Sequence, residues 1–319
     1  MKNGKISVVV PAYNEELAIE ENVKEIVKVL KSLERDWELL VINDGSTDKT
    51  LEILEILENE DNHMRIISYP VNKGRGFALK KGFRAAEGDY VIATESDLNW
   101  GSEIIKRFTE ELDKGNSDIV IASPHMKGGK MENVPLFRWL LSFLGNKIFA
   151  LAIPGKLTMV TGMTRGYRKE VLNSIELEAN DKELHVEILS KAVDLGFRVS
   201  EIPAILKWAS KKSGKPVRKS HFKFKSIWKH LMLSFYVRPY LLFGSIGFLL
   251  LLVGIILGID SYIVSIKEGV SGRPILFATV LFIVVGIQVL VFGFLATQNR
   301  DIKRQLTKIQ KTLRELKEE

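Results

Sequence analysis

The chain has 319 residues, no cysteine, 27% charged residues and a formal net charge of +7. This charged fraction is that of an ordinary soluble protein, so the chain is neither mostly membrane-embedded nor disordered. The lack of cysteine excludes disulfides, thiolate zinc sites and a cysteine nucleophile. A net charge of +7 would by itself suggest a nucleic acid or an anionic membrane as partner, and the position of the charge decides between them.

The charge divides the chain into two sections. Residues 1–206 hold 27 Lys+Arg and 33 Asp+Glu, a net of −6, whereas residues 207–319 hold 19 and 6, a net of +13. The basic section also contains two uncharged apolar runs, Tyr240–Ile259 and Pro274–Gln298. Each is long enough to cross a ~30 Å hydrocarbon layer as a helix, which needs about 20 residues. We therefore expect a domain over 1–206, two transmembrane helices over 240–298 and a helical tail over 299–319.

The residues that flank the two runs predict the orientation in the membrane. Basic residues crowd the segment 207–239 and the tail, while the connecting loop holds only Lys267 and Arg273. Positive residues stay on the cytoplasmic side, so both termini and the domain 1–206 are expected in the cytoplasm. The N-terminal apolar run Ile6–Val10 is too short for the core of a signal peptide. A bilayer, and not a nucleic acid, is the expected partner of the positive charge.

Two segments are expected to lie in the plane of the membrane interface. The first covers about 134–153 and is apolar, but Arg138, Asn146 and Lys147 suit a spanning helix poorly. The second is the basic segment 207–239, which mixes aromatic and basic residues over Phe222–Val237. Amphipathic, basic helices rich in aromatic residues lie among the lipid headgroups. Ordinary amphipathic helices packed on the domain are the alternative.

The C-terminal tail carries apolar residues at 4-3-4-3 spacing. They are Ile302, Leu306, Ile309, Leu313 and Leu316. This spacing suits a short coiled coil, and an amphipathic surface helix fits it equally well. A homo-oligomer formed through the transmembrane helices or this tail is one hypothesis.

The N-terminal domain reads as strands alternating with helices. The predicted strands are Lys5–Val10, Glu38–Ile42, Arg65–Ser68, Tyr90–Ala93 and Asp118–Ala122. Apolar residues with helical spacing lie between them, and Asn14 is predicted to cap the first helix. Strand–helix alternation at this spacing predicts an α/β domain with a mainly parallel sheet covered by helices.

Three of the predicted strands end in polar, acid-bearing sequences. These are Pro11-Ala12-Tyr13-Asn14-Glu15, Asn43-Asp44-Gly45 and Glu95-Ser96-Asp97. In open α/β sheets, ligands bind beyond the carboxyl ends of the strands. We therefore expect the three ends to meet at one edge of the sheet and to form one site.

The residue types at these ends suggest a chemistry. Glu95, Asp97 and Asn99 offer the oxygen ligands that Mg²⁺ and Mn²⁺ prefer, and such a metal could neutralise a diphosphate leaving group. Asp44 and Tyr13 are suited to hold a nucleoside by hydrogen bonding to the base edge and by stacking. The glycine-rich turn around Lys73 precedes a predicted helix N-terminus, which favours phosphate.

Several other classes of enzyme are excluded, because the chain lacks their sequence motifs. The chain has no phosphate-binding P-loop sequence and no Gly-x-Ser-x-Gly nucleophile elbow. Gly74-x-Gly76 lacks the third glycine of a dinucleotide-binding fingerprint, because Leu79 occupies that position. The five histidines show no zinc-type spacing.

Taken together, the motifs carry a family resemblance. Val9–Glu16, Val41–Asp48, Asn72–Gly76 and the stretch Gly88–Leu98 closely resemble the inverting family 2 glycosyltransferases of GT-A fold. Downstream, Thr161–Leu172 and Gly196–Ala204 are similar to the dolichol-phosphate mannose synthase branch of that family. The resemblance covers about residues 5–240 in order, and the two membrane helices also suit that branch.

The resemblance implies roles for particular residues. The positions that match the nucleotide-sugar site are Pro11, Tyr13, Glu15, Ile42, Asp44, Glu95, Ser96 and Asp97. The metal and diphosphate motif of the family is usually Asp-x-Asp followed by Leu-Gln. Glu95 replaces its first Asp and Asn99 replaces its Gln, and both keep an oxygen ligand. Asp97 is the expected catalytic residue and, with Glu95 and Asn99, an expected ligand of the cofactor Mg²⁺ or Mn²⁺.

The resemblance also implies the acceptor, a polyprenyl phosphate such as dolichol phosphate. Arg138 matches an arginine that holds this phosphate at the membrane, and Lys211 and Lys219 lie near two further family cations. Arg165 is a fourth candidate, since charge-assisted hydrogen bonds suit a phosphate. A lipid phosphate is already ionised near pH 7, because its second pKa is about 6, so it needs little or no general base. Catalysis would then rest on positioning and leaving-group stabilisation, with Asp97, Arg138 and Arg165 as the central residues.

The expected reaction is in-line attack of the lipid phosphate on the anomeric carbon, with inversion. The family resemblance favours mannose from GDP-mannose, and glucose or an N-acetylhexosamine from UDP stays open. A polysaccharide synthase or protein-modifying transferase is an alternative, but processive synthases carry Gln-x-x-Arg-Trp and Phe137-Arg138-Trp139 lacks the Gln. A non-enzymatic membrane scaffold on a transferase fold is a third hypothesis, supported only by Glu95 in place of Asp.

Overall fold

The computed structural model describes residues 4–135, 139–140, 142–143, 146, 157–181, 183–207, 239–268 and 274–318. The chain divides into two compact units, Met1–Ser220 and His221–Glu319. The strands of the first unit are β1 (Ile6–Ala12), β2 (Trp37–Asp44), β3 (Met64–Tyr69), β4 (Tyr90–Ala93), β5 (Ile119–Ser123), β6 (Lys130–Glu132), β7 (Arg165–Arg168), β8 (Val199–Pro203) and β9 (Ile205–Lys207). Its helices are α1 (Ile19–Lys31), α2 (Thr50–Glu60), α3 (Arg75–Ala85), α4 (Ile104–Asp113), α5 (Lys169–Ser174) and α6 (Leu184–Asp194). The second unit holds α7 (Pro239–Glu268) and α8 (Ile275–Glu318).

A central sheet organises the first unit. Among the described residues it has the strand order β3-β2-β1-β4-β7-β5-β8, and every neighbouring pair is parallel except the two made by β7. The predicted α/β class with a mainly parallel sheet is therefore confirmed. The sequence did not predict β7 or β8, and the short strands β6 and β9 pair separately in parallel.

The core lies on both faces of this sheet. Every residue of β2 is buried, as expected for a parallel strand covered on both sides. Gly82 of α3 lies directly against Val9 and Ile42, and a Cβ at this position would clash with them. On the opposite face, a Cβ on Gly166 of β7 would contact Phe108 of α4 at 3.1 Å. Helices therefore cover the sheet from both sides.

The predicted capping role of Asn14 is wrong. α1 begins at Ile19, five residues later, and no side chain caps it. Asn14 instead adopts a left-handed backbone conformation with φ of 55°, and its side-chain oxygen accepts the Thr47 backbone N–H at 2.8 Å. The left-handed bend turns the chain toward β2, so the loops that follow β1 and β2 are joined before either helix starts.

The second unit contains two helices with the length and composition of membrane spans. The segments are Leu242–Lys267 and Ile275–Asn299. The two helices pack closely at Gly247 and Gly286, because a Cβ on Gly247 would lie 2.9 Å from the Gly286 carbonyl oxygen. α8 runs on to Glu318, so the predicted tail continues the second helix. More than half of the surface of Ile302, Leu306 and Ile309 in that tail is exposed.

Candidate functional site

The three acid-bearing strand ends lie side by side. β2, β1 and β4 are consecutive in the sheet, with Ala12 paired to Asn43 and Val9 paired to Ala93. Tyr13 therefore follows β1 at the level of Asp44, and Glu95 follows β4 two residues beyond Ala93. The sheet brings the predicted residues to one edge, as the sequence indicated.

Asp44 holds the turn that leads into α3. Its side chain is buried, and its two carboxylate oxygens accept the backbone N–H groups of Lys73 at 2.8 Å and Gly74 at 3.0 Å. The Asn72 side-chain amide also donates to the Asp44 carbonyl oxygen at 3.1 Å. These two N–H groups belong to the turn that was expected to bind phosphate. Asp44 already occupies both groups, so a phosphate at this turn would have to use other groups of the turn.

The Lys73 side chain projects from this turn toward aromatic rings. Its Nζ atom lies 4.8 Å from the centroid of the Phe77 ring, and the residue is exposed. Tyr69, at the end of β3, meets Phe77 edge to face at 5.3 Å. Burial and the nearby charge of Asp44 raise the pKa of the Tyr69 hydroxyl. The Lys73 side chain thus places a positive charge near this edge of the sheet, while the Lys73 backbone N–H donates to Asp44.

Three further predicted residues lie on β1, in the loop after it and on β2. Pro11 is half-buried in β1, and the Glu15 backbone N–H donates to the Thr50 hydroxyl at 2.8 Å. Ile42 is fully buried and packs against α3, because alternate residues of β2 face that helix. Its side chain therefore belongs to the core and not to the edge, which corrects the role expected for it.

The acid loop after β4 is held in a sharp bend. Leu98 has φ of 48°, and its carbonyl oxygen accepts the Gly101 N–H at 2.8 Å. The Asn22 side chain of α1 donates to the Ser96 carbonyl oxygen at 2.7 Å. Glu95 Oε1 lies 3.4 Å from Nη1 of Arg75, the first residue of α3. Arg75 belongs to the positive turn that was expected to favour phosphate, but its place beside Glu95 was not predicted.

Asp97 lies in this loop and is exposed as a residue, but the surrounding protein partly desolvates its carboxylate. Asn99 donates to it twice, from its side chain to Oδ2 at 2.5 Å and from its backbone to Oδ1 at 3.3 Å. Desolvation by the surrounding protein raises the pKa of Asp97, against the lowering effects of the Asn99 N–H and the Arg75 charge. A bound cation would favour the ionised form of this carboxylate.

The donor set of this loop fits a metal shared with a substrate. Within the described part of the chain, no three histidine or acidic side chains gather into a metal-binding group. Mg²⁺ is commonly bound by one or two carboxylates together with substrate phosphates and water, and does not need a protein cage. Glu95 and Asp97, with the side-chain oxygen of Asn99, supply a set of that kind.

The basic segment begins next to the acid loop. The backbone N–H of Lys207, at the end of β9, donates to the Asn99 carbonyl oxygen at 2.8 Å. Lys207 is exposed at this position. Lys207 is the first residue of the basic stretch Lys207–Lys229, which was expected to gather the lipid phosphate. Lys211 and Lys219, the predicted phosphate contacts farther along, lie outside the described residues.

Arg165 has a different position from the one expected for an acceptor contact. It lies fully buried in β7, where its guanidinium donates to the carbonyl oxygens of His185 at 2.8 Å and Val160 at 2.5 Å. Burial lowers the pKa of this guanidinium. β7 is a central strand, so its alternate side chains point into the core, and Arg165 is not open to a lipid phosphate in this structure.

The first segment that was predicted to lie at the membrane interface, about 134–153, is described at a few positions only. Arg138 lies outside the described residues. Next to it, Trp139 and Phe143 stack with ring centroids 5.4 Å apart, and both are 37–39% exposed. Asn146 is buried, and its side-chain oxygen accepts the backbone N–H of Val160 at 2.9 Å. The polar residue that suited a spanning helix poorly therefore attaches this segment to the domain.

Comparison with known proteins identifies relatives of this chain. The model of the family described as glycosyl transferase family 2 matches residues 7–176. Among curated proteins, a dolichol-phosphate mannosyltransferase of Pyrococcus furiosus is 33% identical over 201 residues, which are 60% of this chain and 56% of that protein. An undecaprenyl-phosphate 4-deoxy-4-formamido-L-arabinose transferase of Proteus mirabilis is 28% identical over 301 residues, 92% of this chain and 88% of that protein.

A solved structure supports the fold. The glucosyl-3-phosphoglycerate synthase of Mycobacterium tuberculosis, crystallised with Mn²⁺, uridine diphosphate and phosphoglyceric acid, superposes with a TM-score of 0.52. The two are 23% identical, and the match covers 72% of this chain and 78% of the synthase. At this identity the likeness shows a shared fold.

Proposed function

We propose that this chain, which belongs to glycosyl transferase family 2 and is a glycosyltransferase of GT-A fold, transfers one sugar from a nucleotide-sugar to a polyprenyl phosphate. One observation carries the proposal. The acid-lined sheet edge occurs in the same chain as two helices that are long and apolar enough to cross a membrane. The names of the Pyrococcus and Proteus relatives, both transferases that act on a lipid phosphate, support the same acceptor.

The donor would lie along the edge formed by β2, β1 and β4. Tyr13 and Asp44 would hold the nucleoside, and Glu95 and Asp97 would face the diphosphate. A bound Mg²⁺ or Mn²⁺ would supply charge neutralisation of the diphosphate as it leaves. Lys73 and Arg75 lie at the start of α3, and their side chains would add two positive charges to the same site.

The acceptor would approach from the membrane. Its phosphate is ionised near neutral pH, since its second pKa is about 6, so the reaction needs placement more than proton removal. Lys207 is the described cation nearest to the acid loop on the basic segment. Arg138, Lys211 and Lys219 remain proposed contacts to the same phosphate. The positive flanks of the two apolar helices support a cytoplasmic site with both termini on that side.

The test is a reconstitution with purified full-length protein. The protein would be incubated with a panel of nucleotide-sugars, Mg²⁺ or Mn²⁺ and undecaprenyl or dolichyl phosphate, and products would be identified by mass spectrometry. We expect a lipid-linked monosaccharide that requires the phosphate, so the corresponding polyprenyl alcohol serves as the matched control acceptor.

Two results would contradict the proposal. Transfer to the alcohol as readily as to the phosphate would show that the phosphate is not the recognised group. Absence of any lipid product from a folded protein, with transfer to a polysaccharide or a protein instead, would favour a different acceptor class.

A further inference from the structure

The side chain of Arg75, the first residue of α3, contacts the acid loop. Its Nη1 atom lies 3.4 Å from Glu95 Oε1, with 44% of the Arg75 side chain and 24% of the Glu95 side chain exposed. Desolvation raises the pKa of Asp97, and the charge of Arg75 is one of the effects that act against this rise. The guanidinium therefore acts on both carboxylates of the candidate metal site.

The backbone that carries Arg75 is fixed from two sides. Asp44 accepts the N–H groups of Lys73 and Gly74, the two residues that precede Arg75. On the other side the turn is packed closely, because a Cβ on Gly74 would lie 3.0 Å from the Asn180 carbonyl oxygen. The guanidinium can therefore change its partner by rotation of the Arg75 side chain, while the turn stays in place.

Arg75 and a divalent cation compete for the same carboxylate. A divalent cation bound by Glu95 and Asp97 would lie a few ångströms from the guanidinium, where the repulsion between them is appreciable even in water. The ion pair between Arg75 and Glu95 is partly exposed and is therefore weak enough to be exchanged. A metal consequently binds the two carboxylates more tightly once the guanidinium has turned away.

A bound diphosphate removes this competition. Guanidinium groups form charge-assisted and often bidentate hydrogen bonds with phosphate oxygens. Mg²⁺ is commonly bound by one or two carboxylates together with substrate phosphates. The diphosphate thus offers Arg75 a second anion, and it also offers the metal the ligands that the protein does not supply.

We propose that Arg75 pairs with Glu95 in the donor-free protein and transfers to the diphosphate when the donor binds, which leaves Glu95 to the metal. The proposal rests on the proposed function, because it concerns the donor and the metal of the same site. Its consequence is that metal and nucleotide bind together, since each favours the binding of the other. Metal without nucleotide binds weakly, because the charge of Arg75 opposes it.

The experiment measures Mn²⁺ affinity in the full-length protein in detergent micelles. Electron paramagnetic resonance of unbound Mn²⁺ gives the dissociation constant without nucleotide and with saturating UDP or GDP. Without nucleotide, Arg75→Gln is expected to bind Mn²⁺ at least about fivefold more tightly than the natural protein, because a positive charge beside the metal is lost. The factor by which the nucleotide raises the Mn²⁺ affinity should fall by a similar amount. Arg75→Ala, a second neutral variant, should show the same gain.

A matched control removes the same charge from the other end of the same helix. Arg84 is exposed in the last turn of α3, about 13 Å along the helix from Arg75. At 0.1 M salt the screening length is about 10 Å, so Arg84→Gln should change the Mn²⁺ affinity by less than about twofold. A nucleotide-free Mn²⁺ affinity that is unchanged or weaker in folded Arg75→Gln and Arg75→Ala overturns the proposal. An equal gain in Arg84→Gln overturns it as well, because the effect would then not depend on the contact with Glu95.

The same data separate this proposal from the proposed function. A folded natural protein that binds neither UDP nor GDP at any Mn²⁺ concentration counts against a nucleotide-sugar donor, and the nucleotide-free comparison still decides the role of Arg75. A natural protein that forms the lipid-linked sugar, with no gain of Mn²⁺ affinity in the Arg75 variants, keeps the transferase reaction and refutes only the exchange at Glu95.

Discussion

The side-chain oxygen of Asn146 accepts the backbone N–H of Val160 at 2.9 Å, which attaches the segment around Asn146 to the chain that leads into β7. The same oxygen accepts the Thr161 backbone N–H at 3.2 Å. From the other side, the Glu201 carboxylate accepts the Met159 backbone N–H at 2.6 Å. Polar side chains thus hold residues 158–161, which pair with no strand in the part of the chain that the structure describes.

The first prediction concerns Asn146. Asn146→Ala should lower the free energy of unfolding by about 2–3 kcal/mol, because the Val160 and Thr161 backbone N–H groups lose their acceptor in a largely buried position. Chemical denaturation of the full-length protein would measure it. Asn59→Ala is the control, since Asn59 is exposed on α2 and its loss should change stability by less than about 0.5 kcal/mol. Equal effects of the two substitutions would contradict the prediction.

A second prediction separates two roles for Arg165. Because its guanidinium donates to the Val160 and His185 carbonyl oxygens together, Arg165→Lys should destabilise the fold by about 2–4 kcal/mol. The KM for polyprenyl phosphate should be unchanged at a temperature where the variant is folded. A raised acceptor KM with normal stability would restore the phosphate-binding role expected from the sequence.

Asp97 is predicted to link metal binding to turnover. Asp97→Asn should reduce metal-dependent sugar transfer by about 100-fold or more, because the charge that holds the metal is lost. The variant should unfold at no lower temperature than the natural protein, since desolvation raises the pKa of this carboxylate in the fold. Mn²⁺ should raise the unfolding temperature of the natural protein only. If Mn²⁺ raised the unfolding temperature of both proteins equally, Asp97 would not be a ligand of the metal.

The packing of the two apolar helices gives a fourth prediction. Gly286→Leu should separate α7 from α8, because a Cβ at Gly286 would already lie 2.9 Å from the Leu251 side chain and 3.0 Å from its backbone nitrogen. Overpacking of this kind costs about 1–3 kcal/mol. Gly244→Leu is the matched control, since a Cβ at Gly244 meets no atom within 4 Å. Thermal unfolding in detergent should distinguish the two variants. An equal decrease in unfolding temperature would contradict the close packing of Gly286 against Leu251.

A fifth prediction concerns pH. Burial alone would raise the pKa of Asp61, but hydrogen bonds from Lys31 and from the His63 backbone N–H lower it to about 2. The carboxylate therefore stabilises the fold above the unfolded-state pKa of about 4, and this contribution is lost as the pH falls toward 2. Asp61→Asn should cost at most about 2 kcal/mol at pH 6 and much less near pH 2. A cost that does not depend on pH would contradict this assignment.

Local sequence patterns predicted much of the sheet and the site edge. The five predicted strands correspond to β1–β5, because each is a short apolar run between turn residues. The same patterns placed Tyr13, Asp44, Glu95 and Asp97 at one edge, since carboxyl ends of parallel strands share an edge. They did not predict β7, whose four residues Arg165–Arg168 include two arginines and a glycine and lack the composition of a buried strand.

Long-range contacts gave several residues roles that their local sequence did not indicate. Asn14 has the character of a helix cap, but the Thr47 N–H is the donor that its side chain meets. Arg75 becomes a site residue only because α3 starts opposite the acid loop. Asn146 looked misplaced in an apolar segment because its partners at Val160 and Thr161 lie 14 and 15 residues away.

The sequence by itself determined the division into an acidic α/β domain and a basic section with two apolar helices, because charge and hydropathy are properties of the composition of each segment. It also determined the residue types at the strand ends. Only the tertiary structure decided which of those groups stay open to a ligand. Asp44 accepts two backbone N–H groups, and the buried Arg165 donates to two carbonyl oxygens, since buried polar groups must find partners wherever the fold supplies them.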